Sequence, residues 1–403
     1  MSKKKLLVLF VCNLVLWTIG LGIAPLLPVQ AADLGASPAL AGACLALSQV
    51  AMVAGTLSAG WLSAHFRGRK VPAVVAGLVF TPALWLMGRA NMLWGLAMAL
   101  TVTFFCAGVV LALNSIAAGL FAKGSERGKV FGLLALTSGL GALFGGGLAG
   151  PIAGWWGYAS MYAILALIGL LGPLVWLLWE ERAVAPLRDP KTATTGKGAG
   201  LGKSFYLLFA ASLGGEVAGF VFFVGRSFVM TDLGFDAGAL TTAGAIGAAL
   251  ALPVPLLAGW LSDRLGRKRF IAISFLATTA ALLALSVSTA LWHFGAASML
   301  YFLSFAGGPA ASALVADLVP RESLGRGLAI YNANTWLGGI IGCMLTGYAV
   351  QGLGTAPTLV AGAFLPLIAV GLLAAAAQRS RNRSAVPLPS ERVPSAEPLT
   401  ATA

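Results

Sequence analysis

Twelve blocks of apolar residues, each about 18 to 26 long and almost free of charge, make up most of this 403-residue chain. A helix needs about 20 such residues to cross the hydrocarbon core of a bilayer, and ordinary core helices do not sustain that length without charge. The expected spans are 6–29, 38–62, 71–88, 92–117, 128–152, 158–179, 204–229, 239–261, 270–288, 291–314, 326–350 and 357–377. Composition agrees, since 59% of residues are hydrophobic and only 10% charged, against about 25% charged in soluble domains. The expected fold class is therefore all-α, a polytopic membrane protein of twelve transmembrane helices whose main partner is the lipid bilayer.

The net charge of +13 would suggest a nucleic-acid partner in a soluble protein, but its distribution says otherwise. Lys3, Lys4 and Lys5 fall on the same side of the predicted membrane as Arg67, Arg69, Lys70, Lys123, Arg127, Lys129, Arg264, Arg267, Lys268, Arg269, Arg321, Arg326 and the basic tail. Only Arg89 and Arg226 lie elsewhere. By the positive-inside rule that side is the cytoplasm, so the chain is expected in the cell (inner or plasma) membrane with both termini cytoplasmic and an even number of crossings. Nucleic acid drops out as a partner. Trp85, Trp94, Trp155, Trp156 and Trp292 fall near expected outer span ends, where amphipathic rings favour the headgroup layer.

Cys12, Cys44, Cys106 and Cys343 stand singly in four different blocks without metal-ligand spacing, so they read as packing residues, and neither metal nor cofactor is expected. The N-terminus imitates a signal peptide, but its apolar run is too long for one and has a counterpart later in the chain. Neither His-Glu-x-x-His nor Gly-x-Ser-x-Gly is present, which argues against an intramembrane enzyme.

Gly60-Trp61-Leu62-Ser63 recurs 199 residues later as Gly259-Trp260-Leu261-Ser262, and Arg127-Gly128 recurs at the same displacement as Arg326-Gly327. Two landmarks with one displacement imply a duplicated six-helix unit. The expected organisation is a first bundle over 1–179, a cytoplasmic linker over 180–203, a second bundle over 204–378 and a disordered tail over 379–403.

The stretch Gly259-Trp260-Leu261-Ser262-Asp263-Arg264-Leu265-Gly266-Arg267-Lys268 resembles the loop signature between the second and third helices of each half in the major facilitator superfamily. The resemblance extends over essentially the whole chain through its hydropathy, central loop and duplication. It implies that Asp263 caps a helix of the opposite half near Gly128 while the cytoplasmic side is closed. The first copy, Gly60 to Lys70, has Ala64 in place of the aspartate and brings Arg69 and Lys70 one residue late. Gly146, Gly150, Pro151 and Gly154 resemble the antiporter signature of the drug-efflux branches, although Thr137 and Trp155 replace two of its glycines. Phe104 stands where a typical proton-coupled drug antiporter carries an arginine. Close helix packing through Gly-x-x-x-Gly remains the alternative reading of the glycines.

Glu216 alone among the acidic residues falls near the middle of an expected span, where charge is costly and marks function by default. Desolvation disfavours the carboxylate, so Glu216 is the candidate proton-coupling group. Helical spacing places Ser212, Phe220 and Phe223 on its face, with Asn13 and Trp17 on the equivalent face of the first span. The family lines its cavity with the first, fourth, seventh and tenth helices, which adds Phe104, Phe105, Ser298 and Tyr301. Arg226 near the outer end of the seventh span either snorkels, the favoured reading, or attracts an anionic substrate. Gln49, Asn332, Asn334 and Thr335 are weaker polar candidates. The expectation is a monomeric alternating-access carrier that exports a small amphipathic or apolar compound against protons. A facilitator or importer of a metabolite such as an organic anion is the alternative, and a membrane sensor or scaffold the non-transport one.

Overall fold

In the computed structural model, residues 3–121, 127–179, 201–254, 261, 264–305, 307–319 and 323–384 are described, and nearly all of these are helical. Nine of the described helices are long and apolar enough to cross a membrane. One of them contains two spans: the run Arg127–Gly169 is broken at Gly157, whose backbone leaves the helix at φ 78°. The fifth span is therefore 127–156, and the sixth is 158–169 continued by Leu171–Leu177. The eighth is the shorter apolar helix Ala237–Ala251, and the tenth is split into Leu291–Ser304 and Gly307–Leu318. The remaining spans are Lys3–Ile23 with Leu27–Asp33, Pro38–His65, Lys70–Met87, Leu93–Phe121, Lys203–Asp232, Arg267–Ser286, Leu324–Leu353 and Thr355–Ser384. Twelve crossings result, so the described chain starts and finishes on one side, called the terminus-bearing side below.

The interruptions have local causes. Pro25 has no N–H to give the first span, which stops at Ile23 and restarts at Leu27 with Pro28 in its first turn. The restart is tied down by Gln30, which donates to the Met87 carbonyl at 2.9 Å and accepts from the Tyr162 hydroxyl at 2.8 Å. The duplication also governs the caps. Gly35 and Gly234, 199 residues apart, both turn the chain at φ near +80°, where a side chain would be strained. Two residues on, Ser37 and Asp236 cap the second and eighth spans by accepting from the N–H groups of Leu40 (3.4 Å) and Ala239 (2.7 Å). The cap residues themselves differ, but Asp33-Leu34-Gly35 before them recurs as Asp232-Leu233-Gly234, so the turn and the cap recur together.

Small residues let the two halves touch, as close packing in lipid requires. A Cβ on Gly150 would lie 2.5 Å from the Ala237 carbonyl oxygen, and one on Gly146 would lie 2.7 Å from that of Thr241, so the fifth span lies directly against the eighth. Likewise a Cβ on Gly42 would lie 2.6 Å from the Cys343 carbonyl and one on Gly347 2.5 Å from that of Pro38, joining the second span to the eleventh. These contacts lie between mid-depth and the end of the bundle away from the termini. The halves are closed together at that far end.

The eighth span was expected over 239–261; the described helix is Ala237–Ala251, and residues 255–260 lie outside the described set. The twelfth runs on to Ser384, beyond the boundary at which the expected tail begins. Most of the expected linker, 180–200, is also outside the described residues.

Candidate functional site

Between the halves at mid-depth lies a cavity of about 200 Å³. The first and fourth spans contribute Trp17, Gly20, Thr103 and Phe104, and the seventh and tenth contribute Glu216, Phe220, Phe223 and Tyr301. The second and eleventh spans also reach it, through Ser48, Gln49 and Met52 on one side and Thr335, Trp336 and Cys343 on the other. Its wall is mainly aromatic and aliphatic, with few polar groups, as in sites that bind a largely apolar guest and orient it by a small number of polar contacts.

Glu216 is the one polar group there that carries a formal charge when ionised, apart from the tyrosine and cysteine. It sits near the middle of Lys203–Asp232, with its Cβ packed on Gly338 of the eleventh span. Thr335 Oγ1 donates to its Oε1 at 3.2 Å. Opposite, the Gln49 side-chain oxygen is buried without a hydrogen-bond partner, and a Cβ on Gly339 would lie 3.1 Å from it. An unsatisfied buried acceptor costs about 1–3 kcal/mol.

The other expected cavity residues are distributed by helix rotation. Trp17, Phe104, Phe220, Phe223 and Tyr301 line the cavity, and Tyr301 stacks on Phe222 at 4.5 Å. Phe105, about 100° round the helix from Phe104, is 36% exposed and lines an outer groove with the second and third spans. Asn13 turns into the first bundle, where its oxygen accepts from Asn114 Nδ2 at 3.0 Å while Trp176 Nε1 donates to Asn114 at 3.2 Å. Ser212 faces a second, smaller cavity and lies 3.0 Å from the Tyr331 hydroxyl. Ser298 is fully buried and accepts from Arg226 at 2.7 Å.

The comparisons with known proteins place this geometry. No curated protein matches the sequence. The sequence profile described as Major Facilitator Superfamily matches residues 6–308 and 207–401. The chain belongs to the major facilitator superfamily. Among solved structures, it is similar to a bacterial homologue of the human lysosomal transporter Spinster in an inward-facing, unoccupied conformation, at 17% identity and a TM-score of 0.73, over 94% of this chain and 98% of that one. It is also similar to a peptide transporter of the POT family crystallised with sulfate, at 12% identity and a TM-score of 0.76, over 93% and 94% of the two chains. At these identities the likeness establishes the fold. As a major facilitator, the protein is a secondary transporter of a small molecule that works by alternating access, and is not an enzyme.

Arg226 does not snorkel in this facilitator. It is 2% exposed, within the second bundle. Its guanidinium bonds Ser298, lies 5.6 Å from the Phe223 ring centre and occupies the space that a side chain on Gly244 would fill. Its Nε has no partner, and no carboxylate pairs with it among the described residues.

Of the facilitator loop motifs, the first copy is described throughout. Gly60 has open space at its Cβ position, Arg69 is buried at the start of the third span, and Lys70 donates to the Leu177 carbonyl at 2.6 Å. In the second copy, Arg264 is exposed and Gly266 turns the chain at φ 84° into the ninth span. Arg267 there pairs with Asp317 and donates to the Ala313 carbonyl at 3.2 Å, while Lys268 is half-buried. Gly259 and Asp263 lie outside the described residues, and with them the expected latch. Pro151 stays within the helix of the fifth span, and Gly154 meets open space.

Proposed function

We propose that this facilitator exports a small amphipathic or apolar compound by proton antiport, with Glu216 as the group that alternately carries the proton. The observation that supports this reading is the single carboxyl in an otherwise apolar, aromatic inter-half cavity, held by Thr335 at mid-depth. A carboxylate there is expensive, and protonation or a bound guest relieves the cost, so proton and guest compete for one site. In this reading the termini and basic loops are cytoplasmic, the chain works as a monomer, and the far-closed arrangement faces inward. The two bundles then rock about the cavity, with the Asp263 loop closing the other side.

Ethidium, a planar amphipathic cation, is a suitable probe for protein reconstituted in liposomes with an imposed pH gradient. Gradient-driven accumulation that collapses with a protonophore and is absent in Glu216→Gln is expected. Ethidium flux indifferent to the gradient would remove proton coupling.

A further inference from the structure

Behind Glu216 lies a second cavity, of about 100 Å³. It shares Glu216, Tyr301 and Phe305 with the central cavity, so these three form the partition between the two spaces. The remainder of its wall differs in chemistry. Ser212, Ser274, Thr278, Ser304 and Tyr331 bring five hydroxyls to it, from the seventh, ninth, tenth and eleventh spans. Three of these donate to carbonyls of their own helices: Ser274 to Phe270 at 3.1 Å, Thr278 to Ser274 at 3.3 Å and Ser304 to Tyr301 at 2.6 Å. A hydroxyl that has donated its proton keeps lone pairs that accept from water. About 10–15 Å³ is enough for one water with polar partners, so the space has room for several.

Two further features give the chamber a direction. The tenth span is broken beside it, and Gly307 and Gly308, which resume the helix, form part of its wall. Within its wall, Ile271, Ala311 and Tyr331 lie within two turns or so of the terminus-bearing ends of their spans, whereas Glu216, Gly219 and Thr278 lie at mid-depth. The chamber thus leads from Glu216 toward the side that carries the termini. Every residue in its wall belongs to the second bundle. The central cavity opens and closes as the bundles rock, but a space inside one bundle does not.

We propose that this chamber is a water-filled proton passage joining Glu216 to the aqueous phase on the terminus-bearing side, separate from the route of the transported compound. The inference rests on Glu216 being the proton carrier. The protonated carboxyl gives its proton to a chamber water, the carboxyl O–H bond breaking as hydronium forms, and the water chain passes the charge to bulk solvent. Glu216 is left as the carboxylate, and uptake is the reverse. Release can then proceed while a guest occupies the central cavity. The titratable groups facing Glu216 are Tyr301 of the tenth span, Tyr331 and Cys343 of the eleventh, and Arg226 beyond Tyr301 on the seventh. The first, second, fourth and ninth spans present no charged side chain in either wall among the described residues.

The test uses the full chain with Cys12, Cys44, Cys106 and Cys343 changed to alanine, reconstituted in liposomes, and silver ion as a small aqueous thiol probe on the terminus-bearing side. Thr278→Cys reports the chamber and Phe104→Cys the central cavity. Gly20→Trp fills the central cavity, since a side chain there meets open space. Gly307→Val fills the chamber, since its Cβ falls 2.7 Å from Ser274 Oγ. Gly20→Trp is expected to slow silver labelling of the central-cavity thiol at least tenfold and leave that of the chamber thiol within twofold, and Gly307→Val to do the opposite. A chamber thiol that never reacts, or that slows together with the central-cavity thiol, overturns the separate passage whatever Glu216 does. If Gly307→Val does not fold, the pair Ser274→Ala and Thr278→Val removes two hydroxyls without adding bulk. Either chamber variant should lower pH-driven ethidium accumulation at least tenfold while exchange at equal pH stays within twofold. Equal loss of both activities would make the chamber structural, and accumulation driven by sodium in place of protons would make it a cation site. Driven transport that survives Glu216→Gln condemns the proton-carrier reading, while the silver result still stands on its own.

Discussion

The backbone N–H of Ala39 donates to Oε1 of Gln351 at 3.2 Å, and this bond joins the two halves at the end away from the termini. One hydrogen bond is worth about 1 kcal/mol net, or about fivefold in a two-state ratio. Gln351→Ala should therefore raise the far-open population about fivefold, and Gly347→Leu, with the Pro38 carbonyl in its way, considerably more. Distances between spin labels on the far ends of the second and eleventh spans would report it; unchanged distributions in both variants would show that the contact does not hold the gate.

Glu216→Gln keeps the shape of the carboxyl and removes its titration. Gradient-driven ethidium accumulation should fall to the background of empty liposomes, with exchange at equal pH within about threefold of the parent, because the cavity wall is otherwise intact. A variant that loses both to the same degree would make Glu216 a binding or packing residue.

The glycines of the fifth span separate into two kinds. Gly150→Ala pushes a methyl against Thr241 and the Ala237 carbonyl, and overpacking of this sort costs about 1–3 kcal/mol. Gly154→Ala projects into open space and should stay within about 0.5 kcal/mol of the parent. Thermal unfolding in detergent should rank the two in that order, and equal melting temperatures would contradict the packing described.

Arg226 is buried with one hydrogen-bond partner and no counter-ion among the described residues. Ser298→Ala removes that partner and should cost about 1.5–3 kcal/mol, the range for bonds to charged groups. Arg226→Met exchanges an uncompensated charge for apolar volume and should leave the melting temperature level or higher. A transport defect in such a stable variant would assign the arginine to function; a marked loss of stability would show it to be a structural element.

The spans were legible because lipid imposes one rule on every residue within it. Rotation about each helix axis was not. The fourth span is apolar round most of its circumference, so hydropathy does not separate Phe104, which faces the cavity, from Phe105, which faces outward. Asn13 drew attention as a polar residue on the predicted face, but Asn114 and Trp176 hold it inside the first bundle, and only a three-residue network across distant spans reveals that. The second and eleventh spans enter the cavity wall because their glycines let the halves meet at the far end, and Gln49 and Thr335 come with them. The split of the tenth span was hidden for a similar reason: Gly307-Gly308 is one glycine pair among 52 glycines, and its neighbours are apolar on both sides.

The acid of the central cavity comes from one bundle only, and Trp17, Leu16 and Phe104 face it from the other. Under the proposed function, a passenger with a basic tip boards with that tip toward the C-terminal bundle, while the N-terminal bundle offers it only apolar groups and the neutral Ser48, Gln49 and Thr103. Turned end for end, the same molecule would press hydrocarbon on a carboxyl group. In that reading the seat discriminates by posture as well as by size, and compounds of equal greasiness that differ in where their polar group sits should not be carried at equal speed.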